Sequence, residues 1–251
     1  MRIVKTQSGA SIAYHALDGA RPGVIFCGGF MSDMTGTKAV ALEDDCRRAG
    51  RAFVRFDYQG HGASSGKFTD GTIGGWLDDT LAVIDQVTEG PQIIVGSSMG
   101  GWIALLAALA RPGRVAGLVT VAAAPDFTEE LMWDQFDDGP RTTLLTEGVY
   151  HQPSEYGDEP YAITLKLIEE GRDHLLLGGP IPITCPVRLL HGMRDADVPW
   201  RHALRIAEHL DSTDVIVTLV KQGDHRMSEP ADIDRLTTTT DTLCRQIEAP
   251  C

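Results

Sequence analysis

The chain has 251 residues, with 35 Asp and Glu against 22 Lys and Arg and a formal charge of −13. That is long enough for one sizeable core, and the sign argues against nucleic acid or an anionic membrane surface as a partner. No run of eighteen apolar residues occurs, and Cys27, Cys46, Cys185, Cys244 and Cys251 are widely spaced without a C-x-x-C pair, which disfavours a membrane-spanning helix, a disulfide framework and a zinc site.

Alternation over residues 2–7 and 11–17 predicts an opening antiparallel pair joined by a turn at Ser8-Gly9. Apolar runs over 24–27, 52–56, 92–96 and 115–122 predict parallel strands buried on both faces, with helical patterns between them. After Pro125 the rhythm breaks into acidic, aromatic pieces that include Trp133, Phe136, Tyr150, Tyr156 and Tyr161, and the pattern over 161–170 predicts a helix. Strand and helix alternation resumes at Cys185-Pro186-Val187, and another strand is predicted over 215–220. The expected fold is α/β: one domain over 1–251, a mostly parallel sheet flanked by helices, and an insertion over 125–184 after the sixth strand. The start, Met1-Arg2-Ile3-Val4-Lys5, lacks the apolar stretch and cleavage site of a secretory signal, so a cytoplasmic protein without stable membrane insertion is expected.

Gly96-Ser97-Ser98-Met99-Gly100 lies between a β-branched strand and an Ala/Leu-rich helical stretch, the placement of a nucleophile elbow. A serine hydroxyl is a weak nucleophile at neutral pH and needs a tight turn, an adjacent base and backbone donors in front of it. Only Ser98 has glycines two residues away on both sides. A glycine-rich chain produces such matches by chance, so the partners downstream decide. His191-Gly192-Met193-Arg194-Asp195-Ala196-Asp197-Val198-Pro199 follows a predicted strand and offers Asp195 as the acid, with Asp197 as the alternative. The run 215–220 leads into Lys221-Gln222-Gly223-Asp224-His225-Arg226, which puts His225, the expected base, just past a strand end. The order Ser98, Asp195, His225 is that of the α/β-hydrolase scaffold. The oxyanion donors are expected to be the main-chain N–H of Met99 and that of Phe30, the latter in the Gly28-Gly29-Phe30-Met31-Ser32 loop. His61 and His191 read as structural hydrogen-bonders.

The segment Asp57-Tyr58-Gln59-Gly60-His61-Gly62-Ala63-Ser64 resembles the D-x-x-G-H-G-x-S loop of α/β-hydrolases. More narrowly, Gly29-Phe30-Met31-Ser32-Asp33-Met34-Thr35-Gly36-Thr37-Lys38, together with Asp224-His225-Arg226-Met227-Ser228, is similar to the ABHD10-like branch of that family. Its members are serine hydrolases with palmitoyl-protein thioesterase and acyl-glucuronide esterase activities. The resemblance covers nearly the whole chain. It implies Ser98, Asp195 and His225 as the triad, acyl transfer to water, and no metal or organic cofactor. The family's D-x-x-V-P pattern favours Asp195 over Asp197, and its insertion after the sixth strand forms a cap. Animal members carry a mitochondrial targeting extension, whereas this chain starts almost directly at its first predicted strand.

Thirteen Asp or Glu lie between Asp126 and Asp173, against only Arg141, Lys166 and Arg172. That balance predicts a negative entrance that repels polyanions such as acyl-CoA, and leaves neutral acyl esters or acylated peptide thiols as substrates. Arg226, beside the base, is expected to pair with cap carboxylates or to meet a carboxylate on the leaving group. The function expected is hydrolysis of carboxylic esters or acyl thioesters through an acyl-enzyme, on a small-molecule or acylated-peptide substrate. Hydrolysis of carbon–carbon bonds in diketone-like substrates, and non-catalytic ligand binding, use the same fold and stand as alternatives.

Overall fold

The computed structural model describes residues 1–153 and 160–248; Tyr156 and Cys251 lie outside the described residues. The chain opens with β1 (Arg2–Lys5), β2 (Ser11–Leu17) and β3 (Ala20–Cys27), followed by α1 (Thr37–Arg48), β4 (Arg51–Phe56) and α2 (Ile73–Gln86). Next come β5 (Gln92–Ser97), α3 (Met99–Ala110) and β6 (Val115–Val121). The chain then leaves the main sheet for α4 (Asp138–Glu147), β7 (Val149–Gln152), β8 (Tyr161–Thr164) and α5 (Leu165–Gly171). It returns as β9 (Val187–Gly192), α6 (Arg201–His209), β10 (Val215–Val220) and α7 (Pro230–Glu248).

Eight strands form one sheet in the order β1-β2-β4-β3-β5-β6-β9-β10. β1 and β2 run antiparallel, and every pair from β4 through β10 is parallel. The sheet is buried on both sides because each parallel strand sends alternate residues to opposite layers. Val24 and Phe26 pack with Leu42, Leu236 and Leu243 from α1 and α7. Ile25 and Ile94 face the layer that holds Trp76, Trp102 and Ile206 of α2, α3 and α6. Both tryptophans are fully buried. The unbroken apolar runs that predicted these strands follow from this two-sided burial.

Register aligns the strand ends. Cys27 pairs with Gly96, Ser97 with Val121, Val121 with Leu190, and Gly192 with Val220. Because these strands are parallel, the residues that follow β3, β5, β9 and β10 emerge together along one edge, the usual place for a ligand site in an open α/β sheet.

The segment between β6 and β9 departs from expectation. Residues 161–170 do not form one helix: Tyr161–Thr164 is a strand paired antiparallel with Val149–Gln152, and α5 begins only at Leu165. Tyr161, Ile163 and Thr164 are aromatic or β-branched and suit the strand, and the Thr164 hydroxyl caps α5 by accepting the Leu167 N–H at 3.1 Å. Met132, Trp133 and Phe136 pack on the small core of Leu144, Ile163 and Ile168, the inner face of this segment. Its two stems are clasped together. Asp126 accepts the N–H groups of Leu176 and Leu177 at 2.8 and 2.7 Å, and Trp102 Nε1 of the main body donates to the His174 carbonyl at 3.1 Å.

Candidate active site

Ser98 sits between β5 and α3 with φ 54° and ψ −119°, a backbone state that a side chain makes costly. Main-chain bonds hold it there: its N–H donates to Val121 O at 2.9 Å, and its carbonyl accepts from Gly101 at 2.8 Å and Ala124 at 3.1 Å. The turn is tight enough that a Cβ on Gly96 would lie 2.3 Å from the Gly100 carbonyl oxygen. Ser98 is partly exposed at the strand-end edge.

His225, on the loop after β10, places Nε2 3.0 Å from Ser98 Oγ and Nδ1 2.8 Å from Asp195 Oδ2. Serine can donate to Nε2 only if that nitrogen is bare, which puts the ring proton on Nδ1, facing the carboxylate. Asp195 is fully buried in its side chain. Its other oxygen accepts the N–H groups of Asp197 and Val198 at 2.9 and 2.8 Å. Burial alone would raise the Asp195 carboxyl, but hydrogen bonds from His191 and His225, the charge of His225 and the Val198 N–H outweigh it and hold the group well below the usual carboxylate range. Asp195 is therefore an anion across the working pH range. Asp197 comes near, with ligand atoms of Asp195, Asp197 and His225 within 4.8 Å of one another, but it is exposed, and it is Asp195 that meets the imidazole.

The loop after β3 closes the other side. A Cβ on Gly29 would stand 3.6 Å from Ser98 Cβ, so the main chain at Gly29 runs close beside the serine. The Met99 N–H is among the first four of α3, which no carbonyl within the helix can reach. The D-x-x-G-H-G-x-S segment braces this loop. Asp57 accepts the Met34 N–H at 2.6 Å and the Ala63 N–H at 2.8 Å. His61 Nε2 accepts the Met31 N–H at 3.2 Å, and its Nδ1 faces the Gln59 carbonyl at 3.3 Å. Burial pushes the His61 ring down, against the Gln59 carbonyl and Asp57, so it stays neutral and can accept. The Phe30 ring lies 4.8 Å from Phe68, 5.7 Å from Phe127 and 5.9 Å from Tyr161 of β8.

Arg226 is exposed, and its carbonyl accepts from Lys38 Nζ, as does the Ser228 hydroxyl at 3.3 Å. That tie between α1 and the histidine loop went unread in the sequence, because the two lie 188 positions apart. Four acids of the run 126–173 have partners within the fold. Asp126 holds Leu176 and Leu177, and Glu129 pairs with Arg172 at 2.7 Å. Glu130 pairs with Arg205 at 2.6 Å, and Glu170 accepts the Gly74 N–H at the start of α2 at 3.0 Å and lies 2.9 Å from His174. Among the described residues, no helix is long and apolar enough to cross a membrane.

The sequence model of the family described as "Serine aminopeptidase, S33" matches residues 19–143. A mouse protein named "Palmitoyl-protein thioesterase ABHD10, mitochondrial" is 48% identical over 237 residues, 93% of this chain and 78% of the relative. The human protein of the same name is 46% identical over 234 residues, 93% of this chain and 76% of the relative. The solved structure of mouse alpha/beta hydrolase domain-containing protein 10 superimposes with a TM-score of 0.91 at 44% identity and covers 98% of both chains. These relatives overturn the expected cytoplasmic location, since they are named as mitochondrial.

Proposed function

The chain belongs to the ABHD10 family of α/β-hydrolases, an enzyme of the esterase and thioesterase kind, and on that premise we propose that it hydrolyses acyl thioesters and carboxylic esters through an acyl-enzyme on Ser98. The observation that carries the reading is the pair of contacts on one ring: His225 Nε2 at 3.0 Å from Ser98 Oγ and Nδ1 at 2.8 Å from Asp195 Oδ2.

In this reading His225 takes the Ser98 proton as Oγ attacks the acyl carbon, and Asp195 stabilises the imidazolium that forms. The carbonyl oxygen becomes an oxyanion facing the main-chain N–H groups of Met99 and Phe30. His225 then gives its proton to the departing sulfur or oxygen. Water, deprotonated by the same ring, attacks the acyl-serine and releases the acid. Only protein groups and water take part.

Residues 125–184 serve as the cap in this proposal, within one domain spanning 1–251, and the approach of the Tyr161 and Phe30 rings at 5.9 Å supports that placement. The proposed substrates are acylated peptide thiols, in keeping with the relatives' name, and small acyl esters. A panel of acyl thioesters and p-nitrophenyl esters of graded chain length tests the reading, with Ser98→Ala as control. A rate maximum at long acyl thioesters, abolished in Ser98→Ala, is the expected result; a preference for short esters would count against the thioesterase assignment.

A further inference from the structure

Asp195 Oδ2 has a second imidazole on it. His191 Nε2 lies 3.0 Å from that oxygen and 3.0 Å from the Val198 carbonyl, while His225 Nδ1 approaches the same Oδ2 at 2.8 Å. Both neighbours of His191 Nε2 are acceptors, so this nitrogen carries the proton and is shared between them. Nδ1 is then a bare lone pair, and it is buried with no partner among the described residues. The ring is fully buried in β9, beside Leu219 of β10. An apolar side chain would fill that place without stranding a nitrogen, and a buried ring whose one donor is aimed at the carboxylate facing His225 points to a role in the site.

We propose that His191 is a positioning residue for the reaction: its Nε2–H fixes the Asp195 carboxylate and draws negative charge away from the His225 ring. This deepens the triad reading and rests on it. With two donors on Oδ2 and two N–H groups on Oδ1, every lone pair facing the protein is engaged, and the carboxylate cannot rotate away from His225. The imidazolium formed during attack is held less tightly than by a carboxylate with one imidazole, so His225 returns its proton to the leaving group more readily. The charged and titratable groups around the pair come from several elements. Asp195 and Asp197 lie on the loop after β9, His225 on the loop after β10, and His202 on α6, close enough for His191 to act on its charge, with Glu130 at 3.4 Å beyond it.

The test is the pH profile of kcat/KM on one acyl thioester for the wild type, His191→Phe and His191→Gln. Phenylalanine keeps the ring without a donor, and the glutamine amide returns an N–H near the place of Nε2. In His191→Phe, kcat should fall roughly tenfold, the effect of one lost hydrogen bond, and the acid limb should move up by about half a pH unit. His191→Gln should restore both. An acid limb that stays put or moves down in His191→Phe overturns the proposal even if kcat falls, because packing loss alone would do that.

Nitrogen-15 NMR of the histidines in the wild type needs no variant to fold. A protonated Nε2 and bare Nδ1 on His191 support the proposal, and the opposite tautomer overturns it. Ser98→Ala separates the two levels: retained hydrolysis there removes the triad reading and this inference together, whereas lost hydrolysis with an unmoved acid limb removes this inference alone.

Discussion

A Cβ on Gly100 would stand 2.1 Å from the carbonyl oxygen of Cys27 and 2.4 Å from that of Gly28. The first turn of α3 thus packs main chain against main chain on the entrance to the Phe30 loop, so the elements that carry the proposed nucleophile and one proposed oxyanion donor are held in close contact. Gly100→Ala forces two backbones apart, with no flexible side chain to yield. It should cost about 2 kcal/mol or more in urea unfolding, as overpacking does. A displacement of about 1 Å should lower turnover on the order of a hundredfold. Unchanged stability would mean that the turn relaxes without cost.

Asp195 and Asp197 offer a clean comparison. Asp195→Asn leaves an amide facing His225 and favours the wrong tautomer, so kcat should fall by about 10³ to 10⁴. Asp197→Asn should stay within about threefold of wild type, since it is Asp195 that contacts the ring. Steady-state kinetics on one ester decides between them, and equal losses would return the acid role to question.

Asp79 gives the fold a pH dependence of its own. Its side chain is fully buried in α2, Oδ2 accepts the Gln59 N–H at 2.8 Å, and Oδ1 has no partner among the described residues. Burial pushes the carboxyl up to about 7, against the pull of the Gln59 N–H. The folded protein therefore keeps a proton that the unfolded chain releases near pH 4. Stability from this group is full below about pH 4 and is lost as pH rises through about 7. Relative to Asp79→Asn, the wild type should lose on the order of 2 kcal/mol between pH 5 and pH 8. Urea midpoints of both proteins at the two pH values measure it, and parallel curves would contradict the assignment.

Arg226 is exposed next to His225, a placement suited to a carboxylate on the leaving group. Arg226→Ala should lower kcat/KM on a carboxylated ester, such as an acyl glucuronide, by about fivefold to tenfold more than on a neutral ester of the same acyl chain. Equal losses on both substrates would remove the role.

Much of the proposed site was legible because its parts are strand ends. Ser98, Asp195 and His225 each follow an apolar run, and parallel strands in register bring such positions to one edge without further information. What escaped depends on contacts that sequence does not encode locally. The strand Tyr161–Thr164 reads as part of a helix until Val149–Gln152 is there to pair with it. His191 reaches Asp195 through the turn after Gly192, where a spacing of four carries no helical meaning. Composition counts the insertion's acids alike, yet Asp126, Glu129, Glu130 and Glu170 are each bound to a donor of the fold. Charge counts register the groups and not their partners.

The most direct test of the proposed chemistry is rapid-quench mass spectrometry with a long-chain acyl thioester under single-turnover conditions. The acyl mass should appear on the peptide containing Ser98 within the first turnover, decay as free acid forms, and be absent from Ser98→Ala. Product formation at the wild-type rate in Ser98→Ala, or an acyl group on another residue that turns over competently, would contradict the account.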